Sequence, residues 1–404
     1  MAEWTIQKLG VHGDGVATGP VYVPGALPGE VVTGQLDGQT LRDIRVLTPS
    51  ADRVRPPCRH AKACGGCQLQ HASDAFVAAW KLEVVAQALK AHGLETEFRP
   101  IITSPDLSRR RATFAATRTK KGALVGFHGR ASGVIVEIPD CVLLDPAVLA
   151  GREVALALAL AGASRKAVLA VTVTQSLDGL DVAVSGGKPL DGPLRMVLAQ
   201  LAESHRTARL TWDDETIATR RPPRQRFGAA DVVPPPGAFL QATTEGEAAL
   251  LAAVEEAVAS ATCVADLFAG CGTFALPLAS RARVHAVEGD ASMMQALDQG
   301  WRGAQGLKPV TVERRDLFRR PLLADELARF DAVVIDPPRA GAEQQVAALQ
   351  ASDVPVVAYV SCNPVTFARD AAGLVAAGYR LEWVQVVDQF RWSAHIELAA
   401  RFTR

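Results

Sequence analysis

After Pro234-Pro235-Pro236 the chain settles into a repeating order of short apolar run, polar or glycine-rich turn, and helical sequence. The runs are Cys263-Val264-Ala265-Asp266-Leu267, Val284-His285-Ala286-Val287-Glu288, Ala332-Val333-Val334-Ile335-Asp336 and Val356-Val357-Ala358-Tyr359-Val360. Strands that alternate with helices in this way predict a parallel sheet covered on both faces. A helix predicted over 244–259 leads into it. Ligands of such sheets sit at the carboxyl ends of the strands. Residues 236–404 are therefore read as a doubly wound, Rossmann-like α/β domain, and its strand ends are the places to look for chemistry.

At 404 residues and 49% hydrophobic, the chain is long enough for two or three cores. Residues 1–50 hold short β-type runs punctuated by glycine, such as Gly13-Asp14-Gly15 and Val21-Tyr22-Val23-Pro24-Gly25, which predict a small barrel. Residues 51–235 form a central α+β region. It has helical periodicity at Trp80–Leu89 and 154–161, and alternating strands at Val134–Ile138 and Val168–Val173. Met1-Ala2-Glu3-Trp4 lacks the pattern of a signal peptide, and no apolar stretch approaches the roughly 20 residues of a membrane span. The expectation is a cytoplasmic protein with no membrane contact, in which clustered cysteines serve metals or catalysis in preference to disulfides.

Four strand ends carry residues of interest. Asp266-Leu267-Phe268-Ala269-Gly270-Cys271-Gly272-Thr273-Phe274 joins a strand to a helix, and its glycines let backbone approach a ligand. Glu288 ends the next strand, where an acid can accept from ribose hydroxyls. Without a third glycine the loop favours a nucleoside smaller than a dinucleotide, a description that S-adenosylmethionine fits; a plain tight turn is the rival reading. Asp336-Pro337-Pro338-Arg339 either sets a carboxylate at the cleft or merely ends a strand. Cys362, in Ser361-Cys362-Asn363-Pro364, is a nucleophile or a structural thiol. Alternation puts His395 and Glu397 on one face of a strand, which reads as an edge strand with a solvated acid or as a general base delivered to the cleft.

Cys58-x5-Cys64-Gly65-Gly66-Cys67 has metal-ligand spacing, and Cys141 stands alone further on. Zinc and a 4Fe–4S cluster both accept four thiolates, and His71 is an alternative fourth ligand for zinc. Lys+Arg and Asp+Glu balance at 43 each, so any attraction to nucleic acid must be local. Arg109-Arg110-Arg111, Arg118, Lys120-Lys121 and Arg130, then Arg220-Arg221, Arg224 and Arg226, read as solvated faces or as phosphate contacts.

Taken together, these residues resemble the RNA 5-methyluridine methyltransferase family, in its iron–sulfur-containing 23S ribosomal RNA uracil-C5 branch, over nearly the whole chain. Residues 8–34 look like that family's small RNA-binding barrel (TRAM domain, OB-like), and Cys58, Cys64, Cys67 and Cys141 match its 4Fe–4S ligands. Phe239-Leu240-Gln241, 266–274, Glu288, Asp316, Asp336 and Ser361-Cys362-Asn363-Pro364 follow the order of its cofactor and catalytic motifs. The ending departs from the family's Phe-Pro-x-Thr-x-His-x-Glu, reading Phe390-Arg391-Trp392-Ser393-Ala394-His395-Ile396-Glu397. Some members also carry Asn where Thr273 stands.

The resemblance implies three units: a TRAM-like barrel at 1–50, a cluster-bearing α+β domain at 51–235 and a class I methyltransferase domain at 236–404. It implies an S-adenosylmethionine-dependent enzyme, a monomer, that methylates carbon 5 of a uridine in 23S rRNA. Cys362 would be the nucleophile and Glu397 the base, with Gln241, Phe268, Thr273, Glu288, Asp316 and Asp336 on the cofactor side. Two rivals stand beside it: the same chemistry on a transfer RNA T-loop, and a non-catalytic RNA-binding iron–sulfur protein.

Overall fold

The computed structural model of the protein describes residues 2–404. Its largest sheet has nine strands. Five run parallel in the order Val310–Arg314, Arg283–Glu288, Cys263–Leu267, Ala332–Ile335 and Val356–Ser361. Glu397–Thr403 comes next, antiparallel to Val356–Ser361 on one side and to Arg380–Asp388 on the other. The sheet is buried on both sides. Val264, Val284 and Val334 point into one core, while Ala265, Leu267 and Val333 point into the other. That is why these strands read as continuous apolar runs without alternation. The chain leaves Cys263–Leu267 towards one edge and returns through Ala332–Ile335 on the other side, so the direction of winding switches between these two strands.

Two features differ from the sequence reading. The strand carrying Glu397 is interior, not at an edge, because Arg380–Asp388 covers its far side. His395 lies in the loop before that strand, so alternation does not relate it to Glu397. Residues Glu97–Phe98 and Ile102–Thr103 also pair with Arg380–Asp388, extending the large sheet with chain from far upstream.

The first five strands close into a barrel around Ile6, Ala17, Val23, Ala26 and Val32. A seven-stranded sheet, antiparallel except where Gly179–Ser185 meets Arg209–Trp212, occupies the middle of the chain against the helices Pro146–Gly162 and Gly192–Ser204.

The helix Asp74–Lys90, capped by the Ser73 side chain on the Phe76 N–H, delivers one charged residue into the interior. Lys81 is 0% exposed, and its ammonium donates to Asp388 (2.6 Å) and to the carbonyls of His395 (2.9 Å) and Phe390 (3.3 Å). All three ammonium donors are thereby used. Burial pulls the Lys81 pKa down, and the Asp388 carboxylate opposes that pull.

Removing one member of a buried pair leaves the other charge uncompensated, so Lys81→Met should cost about 3–5 kcal/mol in urea unfolding. Arg42→Ala, which breaks an exposed pair with Asp37, should cost about 0–1 kcal/mol. Equal losses for the two variants would show that the Lys81 contacts are energetically idle.

Candidate active-site cavity

A cavity of about 890 Å³ opens at the switch in winding, over the carboxyl ends of the parallel strands. That is the size of a cofactor or small-ligand site. Its walls bring together Phe268, Thr273, Glu288, Asp316, Asp336, Cys362 and Glu397 from distant parts of the chain, with His395 and Phe390 beside them.

The glycine-rich loop is strained. Phe268 sits at φ 62°, a left-handed conformation uncommon for an aromatic residue, with Gly270 at φ 56° and Gly272 at φ 95° following. A Cβ on Gly272 would meet Leu276 and Leu297 at 2.8 and 2.9 Å, so only glycine fits there. The turn aims the Phe268 ring at Phe318, their centroids 5.4 Å apart. Glu288 accepts from the Gly270 N–H (3.0 Å) and the Asp290 N–H (2.9 Å), which ties the acid to the loop. Asp316 is exposed at the rim, its carboxylate accepting from the Phe318 N–H at 3.1 Å.

Cys362 lies one residue before the cap of the helix Pro364–Ala376. Asn363 caps that helix, its side chain accepting from the Val365 N–H, and Pro364 occupies the first turn. A helix N-terminus stabilises a thiolate. Here burial and the nearby Glu397 and Asp336 carboxylates outweigh it, pushing the Cys362 thiol up to about 11.

The carboxyls are displaced the same way. Loss of hydration, with Asp336 nearby, raises Glu397 to about 8, against the opposing hydrogen bond from Gln389. Burial lifts Asp336 to about 7. Asp266 lies behind them, fully buried, its pKa pushed well up by burial and then by Asp336, against the Ala275 backbone N–H. Asp336 and Glu397 thus share the cavity wall with Arg314, Arg315 and Arg339, while Asp266 stands outside the lining.

Gln241 does not line the cavity. It is 1% exposed, and its amide oxygen accepts from Gln389 Nε2 at 2.5 Å. The same Gln389 nitrogen reaches Glu397 at 3.2 Å, while the Gln389 oxygen accepts from the Ala242 N–H at 2.7 Å. Gln389 was not singled out in the sequence, because one Gln at a strand end carries no periodic signal. Its only trace is Gly246, where a Cβ would come within 2.5 Å of Gln389. Phe318 was missed for a similar reason, being an ordinary residue in an irregular turn.

Away from the cavity, Cys58, Cys64, Cys67 and Cys141 come together. Burial, assisted by the other three thiols, pushes Cys67 up to about 12, and Cys58 and Cys64 act on Cys141 in the same sense. The Cys58 and Cys64 sulfurs accept backbone N–H groups from His60 and Gly66, both at 3.4 Å. No group of three or more Cys, His, Asp or Glu side chains among the described residues is arranged to hold a metal ion. The charges acting on His71 come from Arg53, Arg130 and Glu30, with no cysteine among them.

The basic runs are largely spoken for. Arg110 is buried and paired with Glu247 at 2.5 Å, and Arg111 donates to the Gly237 carbonyl. Arg224 bridges Asp178 and Asp231, Arg226 pairs with Asp231, and Arg220 pairs with Glu203. Arg109–Arg111 is thus not a freely solvated face: Arg110 and Arg111 turn inward to an acid and to carbonyls of neighbouring elements, and Arg109 donates to the Arg111 carbonyl. Arg118, Lys120 and Lys121 stay on the surface.

The profile described as tRNA (Uracil-5-)-methyltransferase matches residues 304–404. An uncharacterized RNA methyltransferase of Brucella suis is 47% identical over 99% of this chain and 97% of its own. The 23S rRNA (uracil(1939)-C(5))-methyltransferase of Halomonas elongata is 33% identical over 98% of this chain and 88% of its own. The chain belongs to the RNA uracil-C5 methyltransferase family. It is an RNA methyltransferase. Its fold is that of the Pyrococcus abyssi tRNA (uracil-54, C5)-methyltransferase, crystallised with S-adenosyl-L-homocysteine; the TM-score is 0.76 at 24% identity, over 99% of both chains. Among the described residues, no helix is long and apolar enough to cross a membrane.

The electrostatics of this methyltransferase cavity can be read from its thiol. Glu397→Gln removes a negative neighbour, so the Cys362 thiolate should form more readily and alkylate faster. At about pH 9, iodoacetamide labelling of the Cys362 peptide should rise a few-fold to about tenfold, since one pKa unit is a tenfold change in thiolate. Labelling that stays level or falls would mean that the Glu397 charge does not reach the sulfur.

Proposed function

We propose that this enzyme transfers a methyl group from S-adenosylmethionine to carbon 5 of a uridine in 23S ribosomal RNA through a covalent bond between Cys362 and the base. What chiefly supports this reading is the single cavity shared by Cys362, Glu397 and the glycine-rich loop. Carbon 5 of uracil is a poor nucleophile. Addition of the Cys362 thiolate to carbon 6 makes it an enolate carbon able to accept a methyl group. Glu397 then takes the proton from carbon 5, and Cys362 leaves as the double bond re-forms. A uridine paired or stacked in RNA must be turned out of its stack to reach these residues.

The cavity suits the cofactor on its own chemistry. When bound, S-adenosylmethionine supplies an electrophilic methyl group on a cationic sulfonium. The raised-pKa carboxyls of Asp336 and Glu397, with Asp266 buried behind them, complement such a cation. Phe268 and Thr273 on the loop, Glu288 and Asp316 at the adjacent strand ends, and Asp336 near Cys362 would hold it. Gln241 would act one layer back, through Gln389.

The large-subunit ribosomal substrate is favoured over transfer RNA by the Halomonas relative and by the four cysteines. The units at 1–50, 51–235 and 236–404 would divide the work into RNA binding by a TRAM-like barrel, a cluster-bearing centre and a class I catalytic domain. The enzyme would act as a cytoplasmic monomer. The four thiols lie close enough for Cys58, Cys64 and Cys141 all to act on Cys67, and four thiolates are the ligand set of a 4Fe–4S cluster as of zinc. Cys58, Cys64, Cys67 and Cys141 would hold the cluster, and its contribution would be to the fold of this region.

Three outcomes are expected. Cys362→Ala should neither methylate RNA nor form an adduct with it, whereas Glu397→Gln should methylate and then release slowly, accumulating a denaturation-resistant protein–RNA complex. Adduct formation by Cys362→Ala would remove it as the nucleophile, and full turnover by Glu397→Gln would remove Glu397 as the base. Because Glu397 must be ionised to take the proton, turnover should rise as pH climbs towards about 8; a rate that falls over this range would contradict that role. Protein purified without oxygen should be brown and carry about four irons per chain. Colourless protein with stoichiometric zinc would sink the cluster.

A further inference from the structure

The segment between Asp388 and Glu397 has no regular secondary structure, yet it supplies Phe390 and His395 to the cavity wall. Their rings lie 5.5 Å apart, centroid to centroid. What fixes such a segment is contact with the rest of the protein, and part of that contact comes from the cysteine-bearing loop.

Gln68 directly follows Cys67 in the chain. Its backbone N–H and that of Leu69 both donate to the Trp392 carbonyl, at 2.8 and 3.0 Å. The Gln68 side-chain oxygen accepts from the Ala394 N–H at 3.2 Å. Trp392 is held at φ 59°, and its buried ring packs in the same core as Cys64 and Cys141. A left-handed tryptophan persists only where its surroundings over-determine it. Here the surroundings are the cysteine loop on one side and Lys81 on the other, the latter gripping the carbonyls of Phe390 and His395. Arg130 secures the near side by donating to the carbonyls of Cys67 and Gln68.

We propose that Gln68 is a positioning residue for the base-binding end of the cavity, through which the cysteine-bearing loop holds Phe390 and His395 in register with Cys362 and Glu397. This rests on the reading that Cys362 attacks the base there. It assigns the cysteine loop a target in the active site. The hydrogen bonds of the tether run to Trp392 and Ala394, and those of Glu288 and Asp316 stay within the cofactor end.

The test uses the full-length, metal-loaded enzyme with S-adenosylmethionine and an RNA carrying 5-fluorouridine at the target, which traps the adduct because fluorine does not leave as a proton does. Gln68→Ala removes the acceptor for Ala394 and leaves both backbone donors in place. Gln68→Glu keeps an oxygen at the same reach. Trapping should slow about fivefold in Gln68→Ala, the effect of one lost hydrogen bond, and return towards the wild-type rate in Gln68→Glu. Affinity for S-adenosyl-L-homocysteine and metal content should not change. Hydrogen exchange across 390–396 should quicken in Gln68→Ala alone.

An unaltered trapping rate in Gln68→Ala overturns the proposal, as does a matching loss of S-adenosyl-L-homocysteine affinity, which would mark general loosening. If the wild type itself traps no RNA, the Cys362 reading fails on its own account. Hydrogen exchange then decides the tether: faster exchange in Gln68→Ala sustains it, and unchanged exchange defeats it.

Discussion

The site depends on the insertion of the strand Glu397–Thr403 between Val356–Ser361 and Arg380–Asp388. Its register pairs Leu398 with Ser361 and Glu397 with Val387, so the start of this strand arrives beside the ends of both neighbours. Cys362 follows Ser361 directly. The backbone ladder alone therefore brings carboxyl and thiol to one place, before any side-chain interaction acts. A slip of one residue would turn Glu397 to the opposite face of the sheet. The two buried cores that clamp this sheet make such a slip prohibitive.

Once assembled, the site is electrostatically unfinished. Carboxyls at Asp266, Asp336 and Glu397 share a poorly hydrated space with a thiol, and all four are pushed towards their neutral forms. The helix N-terminus beyond Cys362 pulls the other way and loses, because burial and two nearby carboxylates outweigh a partial charge. A cation entering the cavity would favour ionisation of the carboxyls and the thiol together. Stored tension of this kind, along with a strained Phe268, is characteristic of functional sites in general.

Elsewhere the protein spends its charges on itself. Lys81 closes over Asp388 and two carbonyls, and Arg110 closes over Glu247 and the Gln241 carbonyl. Both stitch upstream chain to the walls of the catalytic sheet. Arg118, Lys120 and Lys121, by contrast, stay exposed on the surface.

Local sequence was a good guide wherever a local rule applied. The apolar runs at 263–267, 284–288, 332–336 and 356–360 mark parallel strands because burial on both faces demands continuous hydrophobicity. The glycines of 266–274 and the turns of the N-terminal barrel are likewise legible, since backbone sterics act within a few residues. The residues that face the cavity could be named for the same reason: most end a strand or open a helix. Tertiary structure alone decided the rest. Strand order put Glu397 inside the sheet and left His395 in the loop, pairing across the chain recruited Glu97–Phe98, and packing buried Arg110 and placed Gln241 behind Gln389. These outcomes depend on contacts between residues far apart in the chain, and neither periodicity nor composition records which distant partner a side chain will meet.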